Sequence, residues 1–373
     1  MEKFNIEINS LIVILIFGSL VLLSFLIIVN PLQVNRKGNY WLGTTILLWA
    51  SYWIEEIISL VAIIPSDSLF FNLLRFFQYF TPIIFYFSVV FFTNPSYCFK
   101  RNDLKYIILP VVYTCLLLYK YTLPGQGSHI FDLLLTLLVI LQIPVYTIAS
   151  YLKIRKHQKR IQLFSSTTHE IDLSWLEYII ISVLVISSFT VIYNILFALT
   201  SLNLFMNLMF LLVIYNVAYF SLRQKQIFPR DEWQRSEIIL LEEDETIGEG
   251  RKKLIPDEEL KAYKSRLETM METLEPYLNS ELNLIRLSEL MNMTPHQLSY
   301  LINTAFNENF FQFINRYRVE KAKELLIKES MNQFSILGIA FESGFNSKTS
   351  FNTTFKKFTN QTPSEYKKRS SSL

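Results

Sequence analysis

Three charged residues stand where charge is costly. Glu55, Glu56 and Arg75 fall inside long apolar runs, 41–63 and 69–92, and an ionisable side chain within a membrane needs a partner or a watery cavity. Glu55 and Glu56 lie seven to eight residues from the end of the first run, and Arg75 lies six from the start of the second. In antiparallel neighbours these are similar depths, roughly 9–12 Å at the helical rise. Arg75 is therefore expected to pair with one glutamate inside the bundle, as a structural bridge, part of an outward-opening ligand site or part of a proton pathway. A second set is polar: Gln297 and Asn303, then Ser347, Lys348, Thr349, Ser350, Thr353, Lys356 and Lys357. Amide side chains can bond adenine edges bidentately, hydroxyls suit several partners, and lysines suit phosphates. That is recognition chemistry rather than bond-making chemistry. There is no P-loop, GxSxG or HExxH motif, and His129, His157, His169 and His296 are scattered. No catalytic residue, metal site or cofactor is expected.

The second set sits on helical punctuation. Thr294, Pro295 and Gln297 supply a cap, a first-turn proline and a capping-box partner, and Thr362, Pro363 and Glu365 repeat the arrangement. Gly344-Phe345-Asn346-Ser347 breaks one helix and opens the next. Two short helical pairs then flank one longer helix over 310–327, roughly 27 Å long. The second helix of such a pair lies in the DNA major groove; here those helices run over about 294–303 and 347–358. Adjacent major-groove faces recur every 34–36 Å or so, so one chain can read two successive turns of duplex.

This arrangement resembles the tandem helix-turn-helix domain of the AraC/XylS family of transcription regulators. The matching residues are Leu287-Ser288-Glu289-Leu290 followed by Met293-Thr294-Pro295-His296-Gln297-Leu298-Ser299, and Tyr317-Arg318 with Ala322 and Leu325-Leu326. Ile339-Ala340 with Gly344-Phe345-Asn346-Ser347, Phe351 with Phe355-Lys356-Lys357, and Thr362-Pro363-Ser364-Glu365-Tyr366 complete the pattern, over roughly the last third of the chain. The resemblance implies promoter DNA and RNA polymerase as partners, with His296, Ser299 and Tyr300 at base or phosphate contacts. Tyr300 replaces an arginine often found there, which weakens phosphate anchoring in that half. In the second reading helix, shorter residues replace the arginine or glutamine of many relatives. Gln297 either contacts DNA or only caps its helix. Asn307 replaces the usual glycine, and because asparagine tolerates the left-handed conformation the turn is expected to survive. Arg318 matches a family position and either braces the two halves by ion pairing or touches the DNA backbone; Arg316 shares its helix. Phe345, Phe351, Phe355, Ile336 and Ile339 are expected in the core.

The rest of the chain has a different character. Hydrophobic residues make up 51% of the 373 and charged residues 18%, and the apolar residues crowd before about Leu222. Seven runs can each cross a bilayer, at 11–29, 41–63, 69–92, 104–121, 130–152, 178–199 and 203–222. The first lacks a small-residue cleavage site and is read as a retained helix. Pro82, Pro110 and Pro144 are expected to kink their helices, and Gln142, Asn194, Asn207 and Asn216 to bond between helices. Arg36, Lys37, Lys100, Arg101, Lys153, Arg155, Lys156, Lys159, Arg160, Arg223 and Lys225 all fall on one side. The other side has only Lys3 and Lys120, with Asp67. Basic loops stay inside, which predicts an N-terminus outside and a C-terminus in the cytoplasm of a bacterium. Cys98 and Cys115 are too few for a disulfide framework.

The expected architecture is all-α: a seven-span membrane domain (1–223), a polar flexible linker (224–256) and a cytosolic domain with two helix-turn-helix motifs (257–373). Residues 257–277 have helical spacing and form either the first helix of that domain or a dimerisation helix. The function expected is a membrane-anchored one-component transcription regulator, non-enzymatic, answering a small-molecule or envelope signal and open to homodimerisation. The alternative is a membrane transporter or enzyme whose helical tail makes protein contacts.

Overall fold

The structure, a computed structural model, describes residues 2–30, 34–61, 69–122, 128–168, 171–196, 203–224, 227, 254–328 and 334–370. Most of the 224–256 linker lies outside them. Among the described residues the regular elements are helices, and one isolated antiparallel bridge joins Ser165 to Asn283. The chain divides into two compact units, Met1–Arg155 with Leu173–Ile227, and Lys156–Asp172 with Phe228–Leu373.

The first unit is built from α1 (Glu2–Val29), α2 (Arg36–Ala50), α3 (Ile54–Val61), α4 (Leu69–Gln78), α5 (Thr81–Thr93), α6 (Lys105–Thr122), α7 (Ser128–Ile161, its last turns in the second unit), α8 (Ser174–Leu196) and α9 (Asn203–Leu222). Five segments among the described residues are long and apolar enough to cross a membrane: Ile8–Val29, Phe70–Thr93, Arg101–Lys120, Ile130–Ile161 and Leu204–Leu222. The run expected at 41–63, whose last two residues lie outside the described ones, passes from α2 to α3 through a 3-10 turn, Ser51–Trp53. The backbone is right-handed helical at both joins, and Ser51 Oγ donates to Leu48 O at 2.6 Å. The next run breaks at Tyr79–Phe80, and Pro82 opens α5, because proline has no N–H to continue a helix and clashes with the carbonyl four residues back. Pro110 and Pro144 lie inside α6 and α7, which run on through them.

Close packing of α1 on α2 rests on a small residue. A Cβ at Gly43 would stand 2.4 Å from the Ile28 side chain, and Ser24 Oγ donates to Gly43 O at 2.7 Å, the kind of approach small residues permit between apolar helices. At one end of this unit, Asn35 Nδ2 donates to Gln224 Oε1 at 2.9 Å and Gln224 Nε2 donates to Asn39 Oδ1 at 2.7 Å. Phe92 meets Trp175 edge-on at the same end, beside Lys37 over Phe91. The loop after α1, the end of α5, the start of α8 and the end of α9 therefore come together.

The second unit contains α10 (Asp257–Thr273), a 3-10 turn (Pro276–Leu278), α11 (Leu284–Met291), α12 (Pro295–Phe306), α13 (Phe310–Ile327), α14 (Ile336–Glu342), α15 (Lys348–Thr359) and α16 (Pro363–Ser370). Local chemistry sets these limits. Asn283, Thr294, Asn309, Ser335 and Ser347 each accept a first-turn N–H of the helix they open, a cap worth about 1 kcal/mol. Asn292, Asn307 and Asn360 close their helices in the left-handed region, with φ of 51°, 55° and 58°. The turn at Asn307 thus survives without glycine. The long helix spans the expected residues, while the one expected over 257–277 stops at Thr273. It buries Leu267 and Met271 and packs on α12. Ile339, Phe345, Phe351 and Phe355 are buried with Val319, Ala322 and Leu326 of α13, and Ile336 packs against them.

Candidate nucleic-acid interface

The second helix of the second pair divides its faces sharply. Phe351, Thr354 and Phe355 of α15 are buried, so at about 100° per residue the opposite face carries Thr349, Thr353 and Lys356. All three are exposed, as are Lys348 and Lys357 on the flanks. Lys357 Nζ lies 6.0 Å from the Phe311 ring centroid. Ser347 Oγ accepts the Ser350 N–H at 3.2 Å, so Ser347 acts first as a cap, and Ser350 is half-buried. The resulting surface offers two hydroxyls and three ammonium groups on one rigid helix, chemistry suited to phosphate and base edges.

The second helix of the first pair is less open. Pro295, Leu298, Leu301 and Ile302 of α12 are buried, and His296, Gln297, Ser299, Tyr300 and Asn303 are half-buried. Gln297 Oε1 accepts from Thr294 N at 3.0 Å, while Thr294 Oγ1 accepts from Gln297 N at 3.2 Å. The capping role of Gln297 is therefore filled.

The two arginines of α13 have different fates. Arg316 makes a two-pronged bridge to Glu308, at 2.9 and 3.1 Å, and lies over the Tyr317 ring. Arg318 is fully buried and cannot reach DNA. It does brace the domain, but by carbonyl and hydroxyl oxygens rather than by the ion pair expected. Nε donates to Tyr277 O at 2.7 Å, Nη2 to Asn279 O at 2.8 Å and Ser166 Oγ at 3.1 Å, and Nη1 to Ser166 O at 3.3 Å. Burial pushes its pKa down to about 9, so the group keeps its charge at neutral pH. Gly344, before the α15 turn, has φ 85°, and a Cβ there would stand 2.3 Å from the Tyr277 carbonyl oxygen. Only glycine fits both demands.

The part played by Ser166 was not legible in the sequence, where 162–167 reads as a polar loop between two apolar runs. Nothing local in Gln162-Leu163-Phe164-Ser165-Ser166-Thr167 marks partners more than a hundred residues away.

In the first unit, Arg75 Nη2 lies 3.0 Å from Glu55 Oε1 and 3.3 Å from Oε2. Its neighbour Glu56 turns elsewhere: Glu56 Oε1 accepts from Asn9 Nδ2 at 3.2 Å, and Asn9 Oδ1 accepts from Asn207 Nδ2 at 2.9 Å. Glu55 thus joins α3 to α4, and Glu56 joins α3 to α1 and, through Asn9, to α9. Among the described residues no His, Cys, Asp and Glu cluster is disposed to hold a metal.

Residues 287–369 match a family model described as a helix-turn-helix domain. The chain is similar to an uncharacterized HTH-type transcriptional regulator of Staphylococcus aureus (strain COL), 34% identical over 94 residues, which are 25% of this chain and 12% of that protein. It is also similar to an uncharacterized HTH-type transcriptional regulator in the cgkA 5′ region of Pseudoalteromonas carrageenovora, 39% identical over 77 residues, 20% of this chain and 43% of the relative. The chain therefore spans less than half the length of either relative. No solved structure matches.

Proposed function

We propose that this chain is a membrane-anchored one-component transcription regulator of the AraC/XylS type, binding promoter DNA sequence-specifically through the α11–α12 and α14–α15 pairs. The observation that carries the reading is the α15 face. Thr349, Thr353 and Lys356 project from a helix whose other side is locked by Phe351 and Phe355, within the segment that matches the helix-turn-helix model. From Thr294 onward the sequence has eleven Lys and Arg against six Asp and Glu, an excess that favours a polyanion. His296, Ser299, Tyr300 and Asn303 contribute from α12, with Gln297 chiefly a cap.

The membrane part of the reading is a seven-span domain over 1–223 with its basic loops in the cytoplasm, followed by a linker (224–256) and the DNA-binding domain (257–373). The Asn35–Gln224–Asn39 bonds support this topology. They hold the start of α2 beside the end of α9, which favours an N-terminus and a DNA-binding half on opposite sides of a bilayer. The membrane domain senses a small-molecule or envelope signal, and such a ligand acts only through different affinities for two states. RNA polymerase, and a second copy of the chain, complete the expected partners. The test is selection of genomic fragments by the full chain in detergent. Enrichment of particular fragments, lost on changing Lys348→Ala and Thr353→Ala together, is expected; no enrichment by folded protein contradicts the reading.

A further inference from the structure

The loop that follows α7 satisfies backbone groups that the C-terminal helices cannot satisfy themselves. The first N–H groups of a helix have no partner inside it. Leu284, the first residue of α11, donates its N–H to Phe164 O at 2.9 Å, and Phe311, the second residue of α13, donates to Gln162 O at 3.0 Å. Side chains extend the joint. Ser166 Oγ donates to Leu282 O, Thr167 Oγ1 donates to Ser280 O at 2.9 Å, and Asn315 Nδ2 donates to Ser166 O at 3.0 Å. Ser166 and Asn315 are each 1% exposed, and Leu163 and Phe164 are buried beside them. Six consecutive residues thereby cap two helices and complete the polar shell of Arg318.

The loop follows directly on α7, and residues 168–173 connect it to α8. We infer that residues 162–167 are a docked coupling segment, through which movement of α7 and α8 reaches α13, the helix that joins the two reading pairs. Withdrawal of the loop takes the acceptors from the Leu284 and Phe311 N–H groups together and removes oxygens from a buried guanidinium, so docked and withdrawn loops are discrete arrangements rather than points on a continuum. The effect on DNA rests on the function proposed above; the docking does not.

Hydrogen exchange followed by mass spectrometry on the full chain in lipid nanodiscs tests this. Ser166→Ala with Thr167→Val removes both hydroxyls without adding bulk, and Thr167→Ser keeps its hydroxyl as a control. Exchange in peptides covering the first turns of α11 and α13 is expected to rise roughly threefold or more in the double variant. It should stay unchanged in α15 and near wild type in Thr167→Ser, with a shift of similar size in DNA affinity. Unchanged exchange at Leu284 and Phe311 overturns the docking. Faster exchange without a change in affinity for DNA that the wild type binds overturns the relay, as does equal acceleration throughout α15, which marks the loop as a structural plug. A wild type that binds no DNA removes the DNA-binding reading instead, and the exchange arm still decides the docking.

Discussion

At the scale of single residues, the α15 surface and the Arg318 site make opposite demands. Lys356 is exposed on the proposed DNA-binding face, so under that reading Lys356→Ala should weaken DNA binding about equally across sequences and reduce the slope of log affinity against log salt by about 1. Fluorescence anisotropy over a salt series measures both. Gly344→Ala should cost on the order of 3 kcal/mol, because it combines a left-handed backbone with a contact on the Tyr277 carbonyl. Urea-dependent pulse proteolysis of the second unit in the full chain reads that loss, and a change within about 0.5 kcal/mol would contradict the geometry. The requirement for glycine is visible in the sequence, since Gly344 opens the break at 344–347. The partners of Arg318 are not, because Tyr277, Asn279 and Ser166 reach it only through tertiary packing.

At the scale of elements, helix limits follow from local signals, whereas backbone continuity does not. The limits of α13 follow from the Asn309–Gln312 capping box and from an uninterrupted helical run, both local. Hydropathy marks the 41–63 run but carries no information about the 3-10 turn at Ser51–Trp53, which neither proline nor glycine announces. In the following run Pro82 did announce the interruption. The α3–α4 joint gives an element-level prediction: Glu55→Arg and Arg75→Glu each lower the yield of folded protein, and the double reversal restores much of it, because the bridge is a two-sided contact at 3.0 Å. Size-exclusion profiles of the three variants in detergent check this, and a double variant no better than either single contradicts it.

At the scale of the whole molecule, the proposed topology can be tested with residues already present. Cys98 is an exposed thiol in the loop between α5 and α6, and Cys115 lies within α6. If the basic loops face the cytoplasm, a membrane-impermeant maleimide labels Cys98 only after cells are permeabilised; labelling in intact cells reverses the orientation. In the proposed function one chain holds DNA from the membrane, and recovery of cross-linked DNA from purified membranes of cells producing the full chain tests this. Particular fragments are expected in the membrane fraction, lost in the Lys348→Ala, Thr353→Ala variant. DNA recovered only with a short soluble C-terminal fragment, or no enrichment at all, would contradict it.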